Sequence, residues 1–188
     1  MIFGGEEIPK MAKDYYFPTL QGQQFETWDI DIEDPLANIV DVAAVNQYFG
    51  WYYSGFLAAA VDMDPLKARQ IMLENIPKIR FQLPDNKPFI FSEIGAGAKR
   101  GLHATADQIK VFSEEYQAAV YEKQIQMIRH QKNLVGISPW ILKDFRSPMR
   151  QLQGVQDYWN LKGLISENGN PKIAFFTLQR FYKEMEEK

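Results

Sequence analysis

The chain has 188 residues, 46 % of them hydrophobic and 24 % charged, with a net charge of −3, which describes a globular protein of about one domain's length. The charge balance excludes a basic footprint for nucleic acid, and the absence of cysteine excludes disulfides and thiolate metal sites while leaving the redox compartment open. Met1 to Lys10 lacks a basic segment followed by an apolar core, so no signal peptide is expected and the compartment stays undetermined; no apolar run reaches membrane-spanning length, and no membrane association is expected.

Residues 1–37 carry no periodic signal and are expected to form an irregular N-terminal segment; the remainder, 38–188, alternates strand and helix patterns. Ile39 to Val45 reads as a strand that runs into Asn46-Gln47-Tyr48-Phe49-Gly50-Trp51-Tyr52. Asp64 and Pro65 are N-cap and first-turn residues for a helix expected to reach about Arg80. Pro88 to Phe91 is a compact apolar run suited to a buried parallel strand, and Gly95 and Gly97 mark the turn that ends it. A helix is expected from about Ser113 to His130, with Tyr116, Ala119, Val120, Ile125, Met127 and Ile128 grouped at helical spacing. Leu134 to Ser138 reads as a third strand ending at Pro139-Trp140. Asn170 and Pro171 are expected to cap and open a last helix whose apolar face is Ala174, Phe175, Leu178, Phe181 and Tyr182.

Glu93 lies at the C-terminal end of the second strand, immediately before the glycine turn. In parallel α/β sheets, and in βα barrels above all, that end carries the chemistry. If the three strands are parallel neighbours, Asn46, Tyr48 and Trp51, then Glu93, then Trp140, Asp144 and Arg146 share one rim. The simpler reading of Glu93 is a solvated carboxylate after a core strand. The aromatic content of 14 % suits a sugar-binding cleft and equally a plain core.

Six ordered motifs carry a family resemblance: Asn46 to Tyr52, Phe91-Ser92-Glu93-Ile94-Gly95-Ala96, Gly101-Leu102-His103, Ser113-Glu114-Glu115-Tyr116-Gln117, Ser138-Pro139-Trp140 with Asp144-Phe145, and Trp159-Asn160-Leu161-Lys162-Gly163-Leu164. Together, over about residues 36–185, they resemble the C-terminal half of the catalytic barrel of glycoside hydrolase family 2, with an order and spacing most similar to β-glucuronidases and their bacterial relatives. The resemblance implies an α/β fold made of the last three or so βα units of a (β/α)8 TIM barrel, a carbohydrate substrate and no cofactor or metal. It implies that Glu93 is the nucleophile of a retaining mechanism and that Tyr48 hydrogen-bonds it. It places Asn46 at the neighbouring cleft position and Trp140 beneath the sugar ring. Asn160 and Lys162 match an Asn-x-Lys pattern that contacts a substrate carboxylate, as an ammonium beside an amide donor favours an anionic sugar.

Related galactosidases carry similar Asn-x-Lys-Gly strings, so β-galactoside specificity stands beside glucuronide specificity. Arg146 and Arg150 are alternative anion contacts, although loop arginines are more often solvated or ion-paired. His103 is expected to be a structural loop residue, and His130 suits a helix C-terminus. A retaining glycosidase needs a second carboxylic acid about 5 Å from its nucleophile. In this family it follows an asparagine, and the chain contains no Asn-Glu dipeptide. Barrel closure requires about eight strands. The expectation is therefore a fragment, inactive alone, that takes its acid/base from an N-terminal barrel half; a non-catalytic carbohydrate-binding or interaction module is the alternative.

Overall fold

The computed structural model describes residues 17–52, 54–105 and 108–187. Of the segment expected to be irregular, 1–37, residues 1–16 lie outside the described residues. The chain divides into two compact units: one reaches to Ile94 and takes in Gln126–Ser138, and the other comprises Gly95–Ile125 and the chain from Pro139 onward. No described helix is long and apolar enough to cross a membrane.

In the first unit a helical turn, α1 (Phe17–Leu20), precedes β1 (Trp28–Asp31). A second single turn, α2 (Leu36–Ile39), occupies the start of the strand expected from Ile39. Its cause is local: Pro35 sits at φ −56° and the Asp34 carboxylate accepts from the Leu36 N–H at 2.9 Å, which starts a helical turn rather than an extended run. The strand itself, β2, is Ala43–Asn46. After α3 (Ser54–Ala60), α4 (Pro65–Asn75) begins as expected, with Asp64 accepting from the N–H groups of Leu66 and Lys67. It ends earlier than Arg80 because Pro77 cannot continue an α-helix. The chain instead makes one 3-10 turn, Ile76–Lys78, and enters β3 (Ile79–Gln82).

β1 and β3 pair in parallel, Trp28 opposite Ile79 through Asp31 opposite Gln82. A separate open sheet has the order β2-β4-β5, with β4 (Phe89–Ile94) in the centre and β5 (Leu134–Pro139) at one edge. β2 and β4 are parallel. One face of this sheet is packed by aromatic rings, with Phe81 of β3 within 5.2 Å of the Phe91 ring centroid and Phe89 within 5.4 Å of Phe91. Val45, Phe89 and Phe91 are fully buried there, while Ala44 on the alternate positions of β2 is exposed. Gln131 finishes the edge of β3 by accepting from the Phe81 N–H at 3.0 Å and donating to the Ile79 carbonyl at 2.8 Å, as a neighbouring strand would.

α5 (Glu114–Arg129) starts close to the expected Ser113, whose hydroxyl accepts from the Tyr116 N–H at 3.1 Å. Tyr116, Val120, Ile125 and Met127 are buried. In the second unit, β6 (Phe145–Arg146) and β7 (Trp159–Asn160) pair antiparallel. The last helix, α6 (Ile173–Glu186), begins two residues after Pro171 and has Lys172, not Asn170, at its N-cap. Asn170 is used instead in a turn with Ser166, and the first helical N–H, that of Ile173, is capped from a distance by the buried Glu114 carboxylate at 3.0 Å. Ala174, Thr177, Leu178 and Phe181 form its buried stripe, whereas Tyr182 is exposed.

Candidate active site

β4 delivers Glu93 one residue before its end, and β2 lies alongside in parallel with Asn46 opposite Glu93. The register slips between Val45 and Asn46, a bulge that re-aims the last residue of β2. Three hydrogen bonds knit the two strand ends. The Gln47 N–H donates to the Glu93 carbonyl at 2.9 Å, the Ser92 hydroxyl donates to Asn46 Oδ1 at 2.6 Å, and the Tyr48 hydroxyl donates to Glu93 Oε2 at 2.6 Å. The last is a short bond that fixes one carboxylate oxygen. With its Oδ1 accepting from Ser92, Asn46 has its Nδ2 hydrogens as its remaining side-chain donors. Tyr48 stacks edge-on against Tyr52 at 5.3 Å, so its ring is held as well as its hydroxyl. Ser92 has no part in the sequence reading beyond its place in a motif, because the register slip that brings it beside Asn46 leaves no mark in residue spacing.

Past Glu93 the chain turns at Gly95, where φ is +133° and an added Cβ would collide with the Tyr121 hydroxyl. Both facts require glycine there.

The second unit holds Trp140, Asn160 and Lys162. Trp140 is half-buried, its ring edge-on to Phe145 at 6.4 Å, and the Trp140–Ile141 peptide is cis. Asn160 ends β7 and its Oδ1 accepts from the Lys162 N–H at 3.2 Å, which makes Asn160-Leu161-Lys162 one tight unit. Both residues are buried, Lys162 at 4 % exposure. Asp144, expected on the rim, is not there: its carboxylate is buried against Lys172 at 2.8 Å and accepts from the Gly163 N–H at 2.8 Å. Arg146, itself exposed on β6, lies over the Trp159 ring at 4.4 Å, a cation–π contact. His103 is exposed, 2.7 Å from Glu115, and His130 is exposed just beyond α5. Among the described residues no cluster of His, Asp and Glu is placed to hold a metal ion.

Burial pushes the Asp144 carboxyl from 3.8 up to about 6, against the pull of Lys172 and the Gly163 N–H, and burial likewise holds the Lys172 ammonium below its ordinary range. An acid whose folded value lies above its unfolded value favours the folded chain most below the unfolded value, and that contribution is lost as pH rises through about 6. The unfolding free energy of the wild-type chain relative to Asp144→Asn is therefore expected to fall between roughly pH 4 and pH 7. Denaturant titrations at both ends of that interval check it; a relative stability that rises across the interval contradicts it.

The chain as a whole is similar to known proteins. The chain is 33 % identical over 160 residues to β-glucuronidase of Rattus norvegicus, covering 82 % of this chain and 22 % of that protein. It is 34 % identical over 140 residues to β-glucuronidase of Streptococcus agalactiae, covering 74 % of this chain and 21 % of that protein. Among solved structures it superposes on a family 2 β-galacturonidase from Eisenbergiella tayi bound to galacturonate, with a TM-score of 0.55 and 25 % identity over 77 % of this chain and 24 % of the other. The chain thus spans about a fifth of the length of the curated relatives it matches. Residues 24–187 match the family model "Glycosyl hydrolases family 2, TIM barrel domain", with parallel strands and helices in an open sheet as part of such a barrel requires, and the chain belongs to glycoside hydrolase family 2.

Proposed function

We propose that residues 38–188 are the last three or so βα units of the barrel of a retaining β-glycosidase acting on glycosides of uronic acids, of the β-glucuronidase type. The observation that carries this reading is the 2.6 Å bond from Tyr48 to Glu93 at the end of β4, with Asn46 directly opposite. A carboxylate held by one oxygen at a strand's C-terminal end is mounted for attack on a fixed atom.

In the first step a Glu93 oxygen bonds to the anomeric carbon, the bond from that carbon to the glycosidic oxygen breaks, and the leaving oxygen takes a proton from a second carboxylic acid. In the second step the conjugate base of that acid takes a proton from water, the water oxygen bonds to the anomeric carbon and the bond to Glu93 breaks. Glu93 emerges unchanged. The acid/base is supplied by a barrel segment outside this chain, because no Asn-Glu dipeptide occurs in it. Trp140 offers a ring face to the sugar, Asn46 a donor to a ring hydroxyl, and Asn160 with Lys162 a polar and cationic pair for the substrate carboxylate. The β-galacturonidase that this chain resembles is bound to galacturonate, a ligand of the same acidic class. The substrate is thus an acidic sugar and the partner a barrel half, with no cofactor needed.

The chain combined with the remaining barrel segment is expected to hydrolyse aryl β-glucuronides in preference to aryl β-galactosides. Preference for the neutral galactoside favours the galactosidase reading, and sugar binding by this chain alone without any turnover in the combined protein favours a binding module. Tyr48→Phe removes one hydrogen bond to a charged acceptor, worth roughly 1.5–3 kcal/mol. The expected result is a roughly ten- to hundredfold lower kcat/KM for the glucuronide. Unchanged steady-state kinetics would show that the bond does not act on the reacting carboxylate.

A further inference from the structure

Asp144 and Lys172 lie outside every role so far given, yet they meet at the backbone of the Asn-x-Lys segment. Lys172 is fully buried, and its Nζ touches both oxygens of Asp144 at 2.8 Å while donating to the carbonyls of Ala98 at 2.6 Å and Leu161 at 3.1 Å. Asp144 Oδ1 in turn accepts from the Gly163 N–H at 2.8 Å. One buried pair therefore grips the segment on both sides of Lys162, at the carbonyl before it and the N–H after it. Further bonds complete the hold: the Ala98 N–H to the Leu161 carbonyl at 2.8 Å, the Ile141 N–H to the Lys162 carbonyl at 3.1 Å, and Gln117 Nε2 to the Gly163 carbonyl at 3.1 Å. Gly163 is compelled by the same packing, since an added Cβ would run into the Asp144 backbone and carboxylate.

A purely structural pair would be cheaper to build from apolar residues, because taking two charges out of water costs several kcal/mol that a well-packed hydrophobic pair avoids. A directional charged pair is warranted where backbone groups have to be held to within a fraction of an ångström, as a specificity contact demands. Lys172 also stands at the N-cap of α6, so the helix that follows anchors the grip.

We propose that Asp144 and Lys172 are positioning residues that fix the Leu161-Lys162-Gly163 backbone, and thereby aim Asn160 and Lys162 at the carboxylate of an acidic sugar. The sugar assignment rests on the function proposed above; the positioning does not.

The test uses the full chain labelled with 15N and 13C, in wild type, Asp144→Ala and Asp144→Asn. Asn keeps the oxygen that accepts from Gly163 and loses only the charge. Asp144→Ala is expected to speed amide hydrogen exchange at Gly163 by at least about tenfold, with Val45 and Phe91 of the β2-β4 pair unchanged, and Asp144→Asn to restore part of the protection. In the same samples, D-glucuronate added at increasing concentration is expected to bind about tenfold more weakly to Asp144→Ala than to wild type, with D-glucose unaffected. Exchange at Gly163 that is unchanged, or that rises equally throughout the chain, overturns the positioning role. If wild type fails to bind D-glucuronate while the Gly163 result holds, the positioning role stands and the acidic-sugar assignment of Asn160 and Lys162 falls. Should Asp144→Ala not fold, the wild-type chain decides alone. The groups facing the Asp144 carboxylate are Lys172 and the Gly163 N–H, with Glu167 at longer range and Glu114 acting on Lys172. The Gly163 amide shift is then expected to titrate together with the Asp144 carboxyl carbon near pH 6, and independent titration overturns the proposal.

Discussion

Replacing Glu93 by Gln is expected to lower aryl β-glucuronide turnover by the assembled enzyme by at least about four orders of magnitude, as removal of a covalent nucleophile does elsewhere. The amide is nearly isosteric, so the β2-β4 pairing and the Gln47 bond to the residue 93 carbonyl survive. What is lost is the attacking oxygen. Folding measured by circular dichroism and denaturant titration should be close to wild type, which separates lost chemistry from lost structure. If the bland reading held and Glu93 were a solvated carboxylate after a core strand, the same substitution would leave turnover within a few-fold. Excess azide or formate offers a check, since a small anion occupying the vacated position of a shortened Glu93→Ala side chain can attack in its place and partly restore cleavage of an activated aryl glycoside.

The second large effect is expected at Lys162. Lys162→Met keeps the length and apolar stem of the side chain but leaves the substrate carboxylate without its cation in a buried setting. Truncating one member of a buried charge pair costs roughly 2–5 kcal/mol, which is about thirtyfold to several-thousandfold in kcat/KM for the glucuronide. The neutral aryl β-galactoside should be affected within a few-fold only. Equal losses on both substrates would mean that Lys162 supports the loop and not the sugar's charge. The comparison is sharpened by Arg146, the competing anion contact. Its guanidinium is engaged over Trp159 and the residue is itself exposed on β6, so Arg146→Met is expected to leave the uronide preference intact.

Much of the fold was legible because its signals are local. Asp64-Pro65 announced one helix through capping chemistry, apolar residues at helical spacing announced another from about Ser113, and the apolar run before Glu93 announced the central strand. Where a local signature misled, a distant residue had taken over its task. Asn170-Pro171 looks like a helix start, but Glu114, nearly sixty residues away in sequence, caps the first N–H of α6 and releases Asn170 to a turn. The helix expected from Pro65 was carried through Pro77 to Arg80, although that proline was the stop signal. β1 was passed over within the segment expected to be irregular, and β3 because its first two residues were assigned to the end of the preceding helix. The surroundings of Glu93 follow the same division. Tyr48 and Asn46 sit in a contiguous motif and were singled out from it, while the Ser92 bond to Asn46 depends on a bulged register that no spacing rule encodes. Asp144 was read as a rim residue because its partner lies 28 positions onward; only the fold brings Lys172 to it.

The central claim, that Glu93 attacks the anomeric carbon, is tested most directly by trapping. In 2-deoxy-2-fluoro-β-D-glucuronyl fluoride the leaving fluoride needs little protonation, and the fluorine at the second carbon slows hydrolysis of the glycosyl-enzyme, so the covalent adduct accumulates. Mass spectrometry of the assembled enzyme after proteolysis is predicted to find one 2-fluoroglucuronyl group on the peptide containing Glu93, esterified to that side chain and absent from Glu93→Gln. An adduct on any other residue, or inactivation that proceeds equally in Glu93→Gln, would contradict the account.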